Sequence, residues 1–430
     1  MKRLDRKYLI PVLAAFLIAA CALIAAGQWQ DRTPLKIPVD LNATLTNELS
    51  DTAVLRGLDA QVRDYLKEWN LKGASLCIMR NDSLLYAKGY GIADTDVRMS
   101  PATLLRVASV SKLITAAGIM LLQECGMLSL DDCVFAPGGA LEEFSGVIRD
   151  PRLYDITVRH LLMHEAGFTS RTGGDPMFST RSLMKANGWK TPPDSETLAR
   201  AILKRELYFD PGTASEYSNF GYLLLSMVIE RVTGEPYEDW IRENVLRAAH
   251  CTDMHIAFNF YKDRYPGETR YYMQANDKSV ERYDNSGVQV PRCYGGNDIR
   301  ALKGAGAWVT SVPELARFVA SIDGQDEVPD ILSRESIAQM TFVTDSVTYG
   351  LGWNDISEEG VWTRTGTFSG TSALIKNYPD GECWIMVTNT GTWRGPAFTK
   401  FTAALFNRLR EEYSAVLPAR DYFYRTEEEY

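Results

Sequence analysis

Three short patterns in the 430-residue chain carry side chains able to make and break an acyl bond: Ser-x-x-Lys, Tyr-x-Asn, and a basic residue before Thr-Gly. A serine hydroxyl becomes a nucleophile only when a neighbouring amine or phenol can take its proton. Each pattern occurs twice: Ser109/Lys112 and Ser182/Lys185, Tyr217/Asn219 and Tyr283/Asn285, Arg364-Thr365-Gly366 and Arg171-Thr172-Gly173. Local context has to choose between the copies.

Ser109 opens a long apolar run, and at a spacing of three Lys112 shares its helix face, so the amine can reach the hydroxyl. A helix start adds unpaired N–H groups that favour an alkoxide and an oxyanion. Ser182 runs into Asn187-Gly188 and Pro192-Pro193, a segment too short for a buried helix. Tyr217 follows the Asp210-Pro211-Gly212 turn and precedes an apolar helix. Beside an ammonium its phenol gains a reason to ionise, which would make it a general base together with Lys112. Tyr283-Asp284-Asn285 lies in a polar stretch and reads as surface loop. Asn219 is placed to orient Lys112 or a substrate amide. Arg364-Thr365-Gly366 leads into a C-terminal hairpin, where Gly366 permits close approach and the backbone N–H groups of Ser109 and Thr367 can form an oxyanion hole. Arg364 keeps its proton at any ordinary pH, and its fork suits a substrate carboxylate; Arg364, Thr365 and Gly366 are therefore expected to bind substrate. Arg171-Thr172-Gly173 sits in a Gly-rich turn.

The elements that position these residues follow from periodicity. Val54, Leu55, Leu58, Val62, Tyr65, Leu66 and Trp69 mark a helix. Ala74–Met79 and Leu84–Tyr90 mark two strands joined by Arg80-Asn81-Asp82-Ser83. The stretch from Ser109 to His250 is mostly helical, with a helix over Ser109–Cys125 ending at Gly126 and another over Tyr222–Val232. Strands return at Thr371–Lys376 and Cys383–Asn389, and a last helix covers Phe398–Glu412. The fold class is α+β: one antiparallel sheet built from both ends of the chain, flanked by helices, with a mostly helical central lobe and a cleft between.

With its flanks, the chain resembles the class C β-lactamase and D-Ala-D-Ala carboxypeptidase family of serine hydrolases, which also contains esterases. The resemblance runs through Leu105-Arg106-Val107-Ala108-Ser109-Val110-Ser111-Lys112, Leu128-Ser129-Leu130-Asp131-Asp132 and Ile156–Gly167. It continues in Tyr217-Ser218-Asn219-Phe220-Gly221-Tyr222, Tyr349-Gly350-Leu351-Gly352-Trp353 and the hairpin to Asn389, covering roughly residues 51–412. It implies acyl-enzyme chemistry on Ser109 without a cofactor, on D-Ala-terminated peptides (including cell-wall peptide), small esters or a β-lactam. A catalytically weak β-lactam- or peptide-binding sensor of the same fold is the competing reading. Arg364 stands where the family usually has Lys or His, and His164-Glu165-Ala166-Gly167 varies its His-Thr-Ser-Gly. His160 and His164 read as structural: no H-E-x-x-H is present, so no metal site is expected.

Composition bounds the rest. A net charge of −9 argues against nucleic acid as partner. Lys2, Arg3, Arg6 and Lys7 precede an apolar run from Tyr8 to Ala26, the layout of an export signal or membrane anchor over residues 1–27. Three fates stay open: lipidation at Cys21, an uncleaved anchor, or ordinary cleavage. All three place the body outside the cytoplasm, periplasmic or at the cell surface and membrane-associated. Residues 28–50 read as a linker, 51–415 as the hydrolase domain and 416–430 as an acidic, aromatic tail. Cys77, Cys125, Cys133, Cys251, Cys293 and Cys383 match no disulfide framework.

Overall fold

Asn81 and Asp82 both take positive φ, 46° and 57°, which makes the tight two-residue turn that a right-twisted hairpin needs. That turn joins β1 (Gly73–Arg80) to β2 (Ser83–Asp94). The computed structural model describes residues 37–171, 174–274, 278–344 and 348–425. Residues 40–422 form one unit. In a second, smaller one Ile37–Pro38 pairs antiparallel with Tyr424–Arg425. The segment 1–27, read as an export signal or membrane anchor, lies outside the described residues, as do Thr172 and Gly173. Among the described residues no helix is long and apolar enough to cross a membrane.

The hairpin continues into a short edge strand, β3 (Val97–Arg98). The rest of the sheet comes from the far end of the chain: β4 (Asp355–Ile356), β5 (Trp362–Phe368), β6 (Thr371–Asn377) and β7 (Glu382–Thr388). The order β4-β5-β6-β7-β1-β2-β3 is antiparallel throughout, and the two chain ends meet where Glu382 faces Arg80 and Thr388 faces Ala74. The expected α+β fold, a sheet closed by both ends of the chain, is therefore the one observed. One sheet face packs on α1 (Arg56–Glu68) and α7 (Thr399–Tyr413), through Leu58, Val62 and Leu66 against Leu76, Ile78, Trp384, Phe406 and Leu409. Apolar residues at helical spacing in α1 and α7, and unbroken apolar runs in β1 and β7, are what make this layer.

The other elements that position the site are α2 (Ser111–Glu124), α3 (Val158–Leu162), α4 (Thr180–Asn187), α5 (Asn219–Thr233) and α6 (Val312–Ala320). α2 and α5 are buried along most of their length, and α5 is bounded by a Ser218 side-chain cap and by Gly234 at φ 75°. Two expectations need correction. The linker read over 28–50 ends earlier: from Asp40 the chain belongs to the body, with Leu41 buried and Asn47 bonded to Gly89 N and Met99 O at 2.8 and 2.9 Å. Ser182 and Lys185 do lie on a helix, α4, which a Gly188 cap at φ 66° allows to end before Pro192. Both side chains point to solvent, where neither meets a partner for nucleophilic work.

The β1–β2 turn is locked by a carboxyl pair. Asp82 accepts from Val328 N at 3.1 Å, and its carboxyl hydrogen-bonds that of Asp323, just beyond α6. Burial, followed by the Asp82 charge, pushes Asp323 up to about 8. The folded state thus holds a proton that the unfolded chain releases at ordinary carboxylate pH. The pair's contribution is complete below about pH 4 and is lost as pH rises through about 8. Thermal melts at pH 5, 7 and 9 should therefore show a decline that is flatter in Asp323→Asn; parallel curves would remove the pair from that decline.

Candidate active site

A sharp turn sets the nucleophile. Leu105–Arg106 is pinned as a strand beside Trp308–Thr310, Ala108 takes a φ of 48°, and a single 3₁₀ turn over Ala108–Val110 precedes α2. Ser109 sits in that turn rather than in the α-helix itself. A non-glycine residue at positive φ stores strain that the surroundings must hold. Here they do so through Gly366: a Cβ on it would meet Val107 O at 2.3 Å and Ser109 N at 3.0 Å, so only glycine lets β5 pass over the turn.

The side chains that converge on Ser109 come from four segments. Tyr217 Oη lies 2.6 Å from Ser109 Oγ, and Lys112 Nζ lies 3.5 Å from it. Lys112 is fully buried and also donates to Asn219 Oδ1 at 2.6 Å and to the Ala305 carbonyl at 2.5 Å. Asn219 Nδ2 in turn donates to Asp175 Oδ2 at 2.6 Å, which fixes the amide's orientation because a carboxylate only accepts. Asp175 is the residue that sequence reasoning missed. Its local signal is visible, since it caps the short Pro176–Phe178 turn, but its partner is 44 residues away. Asn219, read as orienting either Lys112 or a substrate amide, orients Lys112.

The charge state of this cluster reverses one expectation. Burial, then the neighbouring Arg364 charge, holds Lys112 well below the usual amine range. Burial pushes the Tyr217 phenol up to about 12, although the residue as a whole stays 37% exposed toward the cleft and solvent relieves part of that push. Burial thus works against the expected ammonium–phenolate pair on both sides, favouring the amine form of Lys112 and the protonated phenol of Tyr217. A neutral amine has two N–H bonds and one lone pair. With Asn219 Oδ1 and Ala305 O as fixed acceptors for its two N–H bonds, the amine form of Lys112 would have its lone pair left for the Ser109 proton.

His164 stands behind Tyr217. It is buried at φ 60°, its Nδ1 accepts from Ser218 N at 3.1 Å, and its ring lies 4.6 Å from that of Tyr217. His160 Nδ1 accepts from Thr157 N at 3.2 Å and closes the start of α3. Both histidines position backbone. Tyr283 accepts from Asn259 Nδ2 at 2.9 Å, away from the nucleophile's network. Beside Tyr217 a pocket of about 200 Å³ is lined by Phe168, Asp175, Ile202, Leu207 and Phe220.

Arg364 and Thr365 are not where a substrate anchor would be. Arg364 is only 1% exposed, and its Nε donates to the Ser109 carbonyl at 2.9 Å, with Nη2 on the same oxygen. Strand alternation sends Arg364 and Gly366 to the nucleophile's side and Thr365 to the other. There the Thr365 amide and hydroxyl meet Asn354 Oδ1 at 2.6 and 3.3 Å. A spacing argument could place the motif beside Ser109 but could not tell a guanidinium aimed at substrate from one aimed at backbone.

A serine flanked by a desolvated lysine and a tyrosine, set between a helix and the strand that closes a two-ended antiparallel sheet, defines a serine hydrolase of the β-lactamase fold. The profile of the Beta-lactamase family matches residues 58–407, and the chain belongs to that family. It is 29% identical over 330 residues to PbpX of Bacillus subtilis, covering 76% of this chain and 72% of PbpX. It is 25% identical over 338 residues to protein flp of Staphylococcus aureus, covering 77% of this chain but 62% of flp, so it spans less than two thirds of that relative. Among solved structures, the D-amino acid amidase of Ochrobactrum anthropi superposes with a TM-score of 0.65 at 20% identity, over 85% of this chain and 99% of the amidase.

The Arg364 geometry yields a test. Because its charge helps keep Lys112 neutral, Arg364→Met should move the acid limb of the pH–rate profile upward, while Arg364→Lys should leave that limb nearly in place. Arg364→Met should also lower kcat/KM by a similar factor, on the order of 10–100-fold, for neutral and carboxylate-bearing esters. A loss confined to the carboxylate-bearing ester would restore the anchor role.

Proposed function

We propose that the protein hydrolyses acyl substrates through an ester formed on Ser109, with D-amino-acid peptides, amides or small esters as donors. The observation that carries this reading is the placement of Ser109 Oγ between Tyr217 Oη and Lys112 Nζ at 2.6 and 3.5 Å. Lys112 takes the Ser109 proton as the oxygen bonds to the acyl carbon, and the Ser109 and Thr367 N–H groups receive the oxyanion. The close approach of Gly366 to the Ser109 amide supports that assignment, since it brings the backbone of β5 against the turn. Tyr217, still protonated, gives its proton to the leaving nitrogen or oxygen, and the Lys112 ammonium restores it. Water then repeats the sequence on the acyl-enzyme and releases the acid.

Support for a D-amino-acid or cell-wall peptide donor comes from relatedness, to PbpX in sequence and to an amidase in fold. A pocket beside Tyr217, lined by Phe168, Leu207 and Phe220 together with Asp175, Arg205 and Glu206, has room for a side chain of such a residue. The basic start and apolar run of residues 1–27 support export and attachment to a membrane.

A fluorophosphonate probe should label the protein once, with the adduct mapped by mass to Ser109. Ser109→Ala should abolish the adduct and Ser182→Ala should leave it, whereas labelling that survives Ser109→Ala ends the reading. In cells, the protein should fractionate with membranes, and metabolic lipid labelling should depend on Cys21 only if that residue is the lipidated end. Full-length protein in the cytosolic fraction would contradict export.

A further inference from the structure

Trp393 is 70% exposed, an unusual state for so large an apolar ring unless it meets something. It follows the short strand Thr390–Gly391 and lines a groove of about 360 Å³ with Glu68, Trp69, Asn70 and Gln274. Gln274 fixes the two tryptophan segments against each other: its Nε2 donates to the Trp69 carbonyl at 2.7 Å and its Oε1 accepts from Trp393 N at 3.1 Å. Trp69 is held from behind by Phe398 and Phe401, with ring centroids 5.1 and 4.5 Å away. The Trp393 ring is backed by the Arg394 guanidinium, 3.9 Å from its centroid. The groove is therefore a prepared site with two indoles and two side-chain amides.

The chemistry of the lining selects its occupant. Two aromatic faces attract the weakly positive C–H surface of a ring, and carboxamide and carboxylate groups at their edge pair with hydroxyl or acetamido groups. Among the described residues of the lining Glu68 is the one charged side chain, which disfavours an anionic headgroup or phosphate. A wholly apolar occupant would leave the Glu68 carboxylate and the Asn70 carboxamide without use. Two residues before Trp393 the chain passes the β5–β6 turn. Gly391 lies so close to the β5–β6 turn that a Cβ on it would meet Gly370 N at 2.8 Å, and β5 is the strand that crosses the Ser109 turn.

We propose that the Trp69–Trp393 groove binds a sugar ring of an acetamido-bearing glycan, holding the saccharide part of a glycopeptide whose peptide enters the cleft. The proposal rests on the reading of Ser109 as the acylated residue of a cell-wall hydrolase, but binding at the groove does not require catalysis.

The test is titration of the full-length protein with N-acetylchitotetraose, read by tryptophan fluorescence and calorimetry. Saturable binding should appear in the wild type and in Ser109→Ala, and should weaken by at least ~10-fold in Trp393→Ala, as expected when an indole at the centre of a contact is lost. Phe342→Ala, which removes another 70%-exposed ring elsewhere, should bind as the wild type does. Hydrolysis of a small ester should be the same in Trp393→Ala and wild type. No binding by the wild type, equal binding by Trp393→Ala, or an equal loss in Phe342→Ala would overturn the proposal. So would a Trp393→Ala variant that keeps saccharide binding and loses sedimentation with phosphatidylglycerol vesicles, which would make the rings a membrane contact. Failure of Ser109 labelling with saccharide binding intact would instead count against the hydrolase reading alone.

Discussion

A buried guanidinium bound to the carbonyl of the nucleophile's own residue joins the two parts of this site. Arg364 belongs to β5, Ser109 to the turn before α2, and 255 residues separate them in the chain. Without a donor the Ser109 carbonyl would be a polar group facing a buried cation's former place, a loss of about 1–3 kcal/mol for a group left unpaired. With it, β5 is drawn over the turn, and only Gly366 lets the two backbones come that close. The same charge acts on Lys112 and favours its neutral form. One side chain thus bears both on the position of Ser109 and, after burial, on the proton affinity of Lys112.

The lysine shows how burial becomes chemistry. An exposed amine would be protonated at neutral pH and could not accept the Ser109 proton. Lys112 is fully buried, and two of its donors are committed to a side-chain amide and a backbone carbonyl, so burial favours the form that can take a proton. Asp175 is the balancing term. It raises the lysine somewhat through its charge while anchoring Asn219, the partner that aims the amine. Tyr217 keeps its proton and faces the cleft, which separates the acid from the base without a second charged group.

The sheet supplies rigidity at a distance from these atoms. Its order places β7 beside β1, so the two ends of the sequence close the layer, with α1 and α7 burying one face in a shared apolar core. α2 and α5 lie on the side of the helical lobe, and the tyrosine loop is held there by His164 through the Ser218 amide. The side chains around Ser109 therefore ride on elements packed against one another, which suits a reaction needing fixed approach geometry.

Much of this was written locally. Helical periodicity in residues 55–66, the Asn81-Asp82 turn, the apolar run after Ser109 and the Gly126 and Gly234 stops each depend on neighbours a few positions apart, so the sequence alone determined the elements and the Ser109, Lys112 and Tyr217 constellation. What it could not determine was direction and charge. Whether Arg364 points to substrate or to a backbone oxygen, whether Lys112 is an ammonium or an amine, and that Asp175 and the Ala305 carbonyl complete the cluster are set by contacts 44 to 255 residues apart. Ser182 illustrates the same limit in reverse, since α4 forms as a helix yet carries its Ser-x-x-Lys pair on a face that meets only water. Spacing fixes which residues share a face, but only tertiary burial removes the water that would otherwise keep a lysine charged and a serine inert.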